Sequence, residues 1–322
     1  ENILVPNLRT VDYQRKNTQY ESQFKMLKRL ELPFNDFREI SNYCQEIGIT
    51  FLSTPGDKES ADFLEEIGMP AFKIGSDDLD NLLLIRHVAK KRKPLIISTG
   101  MSNMSEVKAT FDFVKAINDK IIFLHCTSNY PTKLQDVNLK AMLTMRRRLG
   151  TLIGYSDHTT NIWIPVVAAS IGAKVIEKHM TIDRSLPGPD QKSSLDVSDF
   201  TKMVQLVRKA EETLHRRRLT ASQVLNFVSK LYGHDINKEI KVALGSYEKK
   251  PTKSEKNIMK FVKKSIVAAV NIGKNEVLLE EKLAVKRAGL ILPSASEYFK
   301  LVNRIAKRDI KKNEVITYEK LF

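Results

Sequence analysis

The chain has 322 residues, enough for one large domain and a small one and too many for a fold that depends on disulfides. Its 42% hydrophobic and 28% charged residues are ordinary for a globular protein, which excludes disorder as the main state. The net charge of +15 points to a solvated basic face more readily than to a nucleic-acid interface.

The sequence opens at Glu1 with a polar stretch of mixed charge over residues 1–20 and no secretory pattern. Residues 21–32 and 35–47 follow with helical spacing. Six short apolar runs then recur at residues 49–55, 71–76, 94–99, 121–127, 152–157 and 174–181, their starts 22, 23, 27, 31 and 22 residues apart. Segments with helical spacing alternate with them at 58–67, 82–91, 106–117, 138–149, 163–171 and 199–214. This alternation predicts parallel strands joined by crossover helices. The longest apolar stretch, 162–176, is broken by Pro165, Ser170 and Lys174, so no membrane span is expected. Residues 202–264 hold 16 Lys/Arg against 6 Asp/Glu, including the run His215-Arg216-Arg217-Arg218. Residues 265–322 show short β-like pieces and two similar phrases, NIGKNEVL from Asn271 and DIKKNEVI from Asp309, which read as an internal duplication. The expected organisation is a barrel over 1–215, a basic linker with an insertion over 216–264, and a small β-rich unit over 265–322.

An open doubly wound sheet and a closed eight-stranded barrel both fit the alternation. Polar residues end every run: Ser53-Thr54, Lys73 with Ser76, Ser98-Thr99, residues 125–130, residues 156–159, and Glu177 with His179. An open sheet gathers its site at one switch point, whereas a barrel gathers all its strand ends at one mouth, so a TIM-type (β/α)8 barrel is favoured. Six strands do not close it. The simplest account is one or two strand–helix units, roughly 40–60 residues, ahead of Glu1; a six-unit barrel or open sheet is the alternative. Cys44 and Cys126 have no metal-like spacing and fit a reducing, cytoplasmic compartment.

His158 and His179 end neighbouring predicted strands, each beside an acid, Asp157 and Glu177. Neutral imidazoles ligate divalent transition metals, and two of them leave positions for water and substrate. The plain alternative is two hydrogen-bonded histidines. Thr54, Lys73, Ser76, Ser98 and Ser156 supply the hydroxyls and the cation that a phosphorylated anion needs at a barrel mouth, although Ser and Thr also cap helices after strands. The loop Leu186-Pro-Gly-Pro-Asp190 holds Asp190 on a rigid turn, which physics alone reads as a connector.

Together these phrases resemble the sialic acid synthase family. The resemblance runs through Phe51-Leu-Ser-Thr-Pro55, Phe72-Lys-Ile-Gly-Ser76, Ser98-Thr-Gly-Met101, Leu124-His-Cys-Thr-Ser-Asn-Tyr-Pro131, Gly154-Tyr-Ser-Asp-His158, Glu177-Lys-His179 and Pro187-Gly-Pro-Asp190. The tail, with Val285-Lys-Arg287, looks like the antifreeze-like (SAF) domain of that family. The resemblance implies condensation of phosphoenolpyruvate with an N-acylated hexose such as N-acetylmannosamine. Carbon–carbon bond formation is followed by water addition and loss of phosphate through C–O cleavage. It implies a divalent metal on His158 and His179, manganese with magnesium or cobalt as alternatives. It assigns phosphoenolpyruvate to Lys73, Ser76, Ser98, Thr54, Ser128 and Ser156, and the sugar to Asn17, Tyr130 and Asp190. Asp190, Glu177 and Arg287 are the catalytic candidates. Arg287 is expected to reach the neighbouring barrel of an intertwined homodimer. A legionaminic or pseudaminic acid synthase acting on a di-N-acetylated deoxy sugar, or an inactive truncated remnant, is the alternative. The family's Gly-Ser-Gly-Glu reads Gly75-Ser76-Asp77-Asp78 here.

Overall fold

A computed structural model describes residues 2–214, 221–233, 235–289 and 292–322. The basic run at 215–218 lies outside them. The chain begins with helices α1 (Asp12–Thr18), α2 (Gln23–Leu30), α3 (Phe34–Glu46) and α4 (Lys58–Glu66), then alternates. Strands β1 (Phe72–Ile74), β2 (Leu95–Ser98), β3 (Ile121–Cys126), β4 (Leu152–Asp157) and β5 (Ile176–Lys178) are separated by α5 (Leu82–Lys90), α6 (Met104–Lys115), α7 (Ala141–Leu149) and α8 (Trp163–Ser170). Helices α9 (Val197–Leu214), α10 (Ala221–Tyr232), α11 (Asn237–Leu244) and α12 (Lys253–Val262) lead into the tail, where β6 (Lys264–Ala268) and β7 (Leu283–Arg287) precede α13 (Tyr298–Leu301).

The five strands pair in parallel in the order β1-β2-β3-β4-β5, consecutive staves of a TIM-type barrel curled into a half-barrel. Apolar runs make these strands because both faces are covered, which suits Val/Ile/Leu-rich sequence. Phe72, Ile74, Leu95, Ile97, Phe123, Ile153 and Tyr155 face the helices and form the main core with residues of α4 to α8. Gly154 lets β4 approach β5, since a Cβ there would sit 2.4 Å from the Val175 carbonyl oxygen. Helix starts are set by side-chain caps: Asp57 accepts from Ser60 N, Asn81 from Leu84 N, and Asn103 and Thr252 form capping boxes with Glu106 and Glu255.

The structure corrects two expectations. Residues 49–55 are not a strand: they run irregularly, without a partner, and Ile49 and Leu52 are exposed. A strand needs a neighbour as well as apolar residues, and β1 pairs only with β2 among the described residues. The span expected as a basic linker, with helical spacing over 221–232, carries three helices, α10 to α12. Val224, Val228, Ile240, Ala243 and Leu244 join the main core, so the basic residues mask a buried apolar face.

Within one chain the tail lies against the half-barrel. Lys264 pairs with Asp78 at 2.7 Å, Lys263 lies 3.5 Å from Asp80, and Arg287 pairs with Asp77 at 2.6 Å. The backbone of Arg287 bonds to Ile3 and Val5, adding the N-terminal segment beside β7. Within the tail the two similar phrases fold as equivalent turns. Ile272 and Ile310 exchange backbone hydrogen bonds, and Asn275 and Asn313 both adopt left-handed φ, 66° and 67°. The carboxylates of Glu276 and Glu314 cap the matching amides of Gly273 and Lys311.

Candidate active site

Alternation along each strand aims every second side chain into the half-barrel. Lys73, Ser98, Cys126, Ser156, His158, Glu177 and His179 thereby line one cavity of about 190 Å³ with Ser76, Ser128, Tyr130 and Arg287. Larger clefts of about 620 and 670 Å³ lie beside the N-terminal segment, away from the histidines. The smaller cavity holds the convergent polar groups, which is the better mark of a site.

Lys73 Nζ donates to Ser98 Oγ at 2.8 Å and lies 3.4 Å from Glu177 Oε2. Ser156 Oγ donates to Glu177 Oε1 at 2.5 Å. Burial works against the Glu177 carboxylate, but Lys73 and Ser156 hold its pKa below the ordinary range. Ser76 Oγ accepts from Gly100 N at 2.9 Å, which fixes the turn after β2. A Cβ at Gly100 would lie 2.1 Å from Ser128 Oγ and 2.8 Å from Ser76 Oγ, so only glycine lets these hydroxyls meet. The four serines and the lysine face a single volume, as phosphate binding requires.

The rings of His158 and His179 stand 5.4 Å apart between centroids, with planes at 64°. His158 Nδ1 lies 2.8 Å from the Thr127 carbonyl oxygen, so it donates there and leaves Nε2 as the ligating nitrogen. Burial lowers the His158 pKa, but Cys126, 3.8 Å from Nδ1, and Thr127 outweigh it and push the value up to about 9. At neutral pH His158 is therefore protonated in the metal-free site, and a cation would bind in exchange for its Nε2 proton. Burial and His158 push His179 down to about 4, which keeps its lone pair free at neutral pH. These residues fit a divalent cation held by two imidazoles. Among the described residues no three His, Cys, Asp or Glu side chains gather as ligands, so water and substrate would complete its shell.

Tyr130 packs 4.3 Å from the His158 ring and stacks on Tyr13 of α1 at 5.2 Å. The Arg287 guanidinium enters from the tail and donates to Asp77 and, at 3.3 Å, to Gln23 Oε1, while its buried Nε has no partner. Asp190 Oδ1 is likewise buried without a partner, and burial raises the Asp190 pKa. An unpaired donor and an unpaired acceptor await a ligand's polar groups.

Three predicted residues, Thr54, Asn17 and Asp190, are not among those lining the cavity. Thr54 is exposed and lines the cleft beside α2 and α4, because residues 49–55 lack strand pairing. Asn17 donates to the Pro189 carbonyl at 2.8 Å and holds the loop that carries Asp190. Sequence reasoning missed Tyr13, Gln14, Met101, Ile258 and Val262, which arrive from α1, the turn after β2 and α12. It also missed Glu255, whose buried carboxylate accepts from Met101 N at 2.7 Å and Ser128 N at 2.9 Å. The Thr252/Glu255 capping signature was the available signal.

Comparison with known proteins agrees with this architecture. The NeuB family model matches residues 1–218 and the SAF domain model residues 263–321. The chain is 39% identical over 290 residues to the N,N'-diacetyllegionaminic acid synthase of Legionella pneumophila, covering 88% of this chain and 73% of that protein. It is 33% identical over 260 residues to human N-acetylneuraminate-9-phosphate synthase, covering 80% and 64%. The solved spore coat polysaccharide biosynthesis protein SpsE of Bacillus subtilis superposes with a TM-score of 0.79 at 29% identity, covering 98% and 85%. The chain belongs to the NeuB family and carries a SAF domain at its C-terminal end.

Proposed function

We propose that the chain is a nonulosonic acid synthase that joins phosphoenolpyruvate to an N-acylated hexose and releases phosphate. The observation that supports this most is the meeting of Lys73, Ser76, Ser98, Ser128 and Ser156 with two imidazoles in one cavity. The lysine and the hydroxyls would take the phosphate and neutralise charge as it develops there. In the reaction the enol carbon forms a bond to the sugar's aldehyde carbon. Water adds to the adjacent carbon. One of its protons passes to the aldehyde oxygen, which becomes a hydroxyl; the other leaves on phosphate as the carbon–oxygen bond to phosphate breaks and the ketone forms. The first of these protons needs a base. Glu177, kept ionised by Lys73 and Ser156, is placed to receive it. His158 and His179 would hold a divalent metal, manganese first, with magnesium or cobalt as alternatives. When bound, the metal supplies Lewis-acid polarisation of the aldehyde oxygen. Arg287 Nε and Asp190 Oδ1, both unpaired, would take the sugar's acylamino and hydroxyl groups, with Tyr130 and Tyr13 as an apolar wall.

N-acetylmannosamine is the first sugar to test. A di-N-acetylated deoxy sugar, giving legionaminic acid, is the second reading, favoured by the 39% identity to the Legionella enzyme against 33% to the human one. The test is phosphate release from phosphoenolpyruvate with manganese and each sugar in turn. Sugar-dependent release supports the synthase and names its substrate. No release with any sugar, together with no binding of phosphoenolpyruvate, would support an inactive remnant instead.

A further inference from the structure

Strands β4 and β5 end in a buried ion pair that the proposed chemistry does not use. Lys178 Nζ lies 2.5 Å from Asp157 Oδ2, with 1% and 0% of the two side chains exposed. The ammonium also donates to the carbonyl oxygen of Thr159 at 2.5 Å and to that of Asn161 at 3.4 Å. Asp157 accepts from Thr159 N at 3.0 Å, Thr159 Oγ1 at 3.1 Å and Tyr155 OH at 3.3 Å. Strand alternation turns this pair away from the cavity, opposite to Ser156 and Glu177.

A buried pair of this kind seldom stabilises a fold more than well-packed apolar residues would; its best-attested use is to fix register. Register here needs fixing. β5 has three residues and pairs only with β4 among the described residues. Tyr155, Ser156 and Asp157 face Ile176, Glu177 and Lys178 in turn, so His158 and His179 follow directly from the last charged pair. A slip of one residue would turn every β5 side chain to the other face. Glu177 would leave Ser156 and Lys73, and His179 would leave His158.

We propose that Asp157 and Lys178 form a register clamp that sets the spacing of His158 and His179. They are positioning residues, and their functional consequence rests on the two-imidazole reading above. The adjacent Ser156–Glu177 bond also joins the two strands, but its side chains face the cavity, where substrate would contact them, whereas the ion pair lies on the far side of the sheet.

The test compares the wild-type chain with Lys178→Met and with the doubly neutral variant Asp157→Asn/Lys178→Met. The single variant strands a buried carboxylate and can fail to fold; the double variant removes both charges and keeps an acceptor for Thr159 N. Amide hydrogen exchange across residues 176–179 reads the register without any metal, and the free-ion EPR signal reads manganese affinity. In the double variant these amides exchange at least about tenfold faster while the rest of the sheet keeps its protection, and manganese binds about 10–100-fold more weakly. Unchanged exchange at 176–179 would overturn the clamp. So would a loss of protection spread evenly over β1 to β5, which would mark the pair as an ordinary stabiliser. A wild-type chain that binds no manganese, yet loses local protection in the double variant, would support the clamp and sink the two-imidazole reading.

Discussion

Glu255→Ala removes one carboxylate that serves both the mouth of the half-barrel and the start of α12. Oε1 accepts from Met101 N at 2.7 Å and Ser128 N at 2.9 Å, and Oε2 from Thr252 N at 2.8 Å. Glu255 is 1% exposed, and Met101 and Ser128 are buried beside it, so both amides depend on this carboxylate as their acceptor. Two orphaned amides cost about 1–3 kcal/mol each, and loss of the capping box adds about 1 kcal/mol. The sum, about 3–7 kcal/mol, is comparable with the whole stability of many domains. Glu255→Gln keeps one carbonyl oxygen but turns an NH2 toward amide donors on its other side, so about 1–3 kcal/mol is lost. Urea unfolding followed by fluorescence of Trp163, the single tryptophan, measures both. A Glu255→Ala chain within about 0.5 kcal/mol of wild type would refute the reasoning, since that is the range of surface substitutions.

Gly154→Ala would place a methyl 2.4 Å from the Val175 carbonyl and 2.5 Å from a Leu124 methyl, forcing β4 from β5. A loss of about 1–3 kcal/mol is expected, and an unchanged urea midpoint would contradict it. Asp57→Ala tests a cap and its pH dependence together. Burial raises the Asp57 pKa, but hydrogen bonds from Ser60 and Asn2 more than offset it and hold the folded value below the unfolded one. The cap therefore stabilises fully above the unfolded pKa, about 3.9, and fades as pH falls through the folded value. Asp57→Ala is expected to cost about 0.5–2 kcal/mol at pH 7, and the gap to wild type should close on acidification. A gap that stays constant into acid would exclude the charged cap.

The strands β1 to β5 were legible because strands buried on both faces read as continuous apolar runs, and their polar ends pointed to the mouth. Residues 49–55 carry the same local pattern and still form no strand, because pairing is decided by a partner elsewhere in the chain. The helical spacing of residues 221–232 was legible and is α10, whereas α11 and the packing of Val224, Val228, Ile240 and Leu244 on the core were hidden by the basic composition around them. In the site, the cavity residues that end strands were readable from their positions, except Cys126 at the end of β3. Tyr13 and Glu255 were not, since Tyr13 lies 59 residues before β1 and Glu255 lies 98 residues after β4, and neither belongs to a phosphate- or metal-binding motif. Arg287 was readable only through family resemblance, and its partner Asp77 only as a departure from the family pattern. The structure gives that departure a role, since Asp77 neutralises Arg287 within the mouth.

The central claim is that two imidazoles at the mouth hold one cation beside the anion-binding serines. Titration of manganese into the full chain, followed by the EPR signal of the free ion, tests it most directly, with His158→Ala and His179→Ala as comparisons. The account predicts one site in the wild-type chain and a loss of at least about tenfold in affinity in either variant. No binding by the wild-type chain, or binding that survives both substitutions, would contradict it.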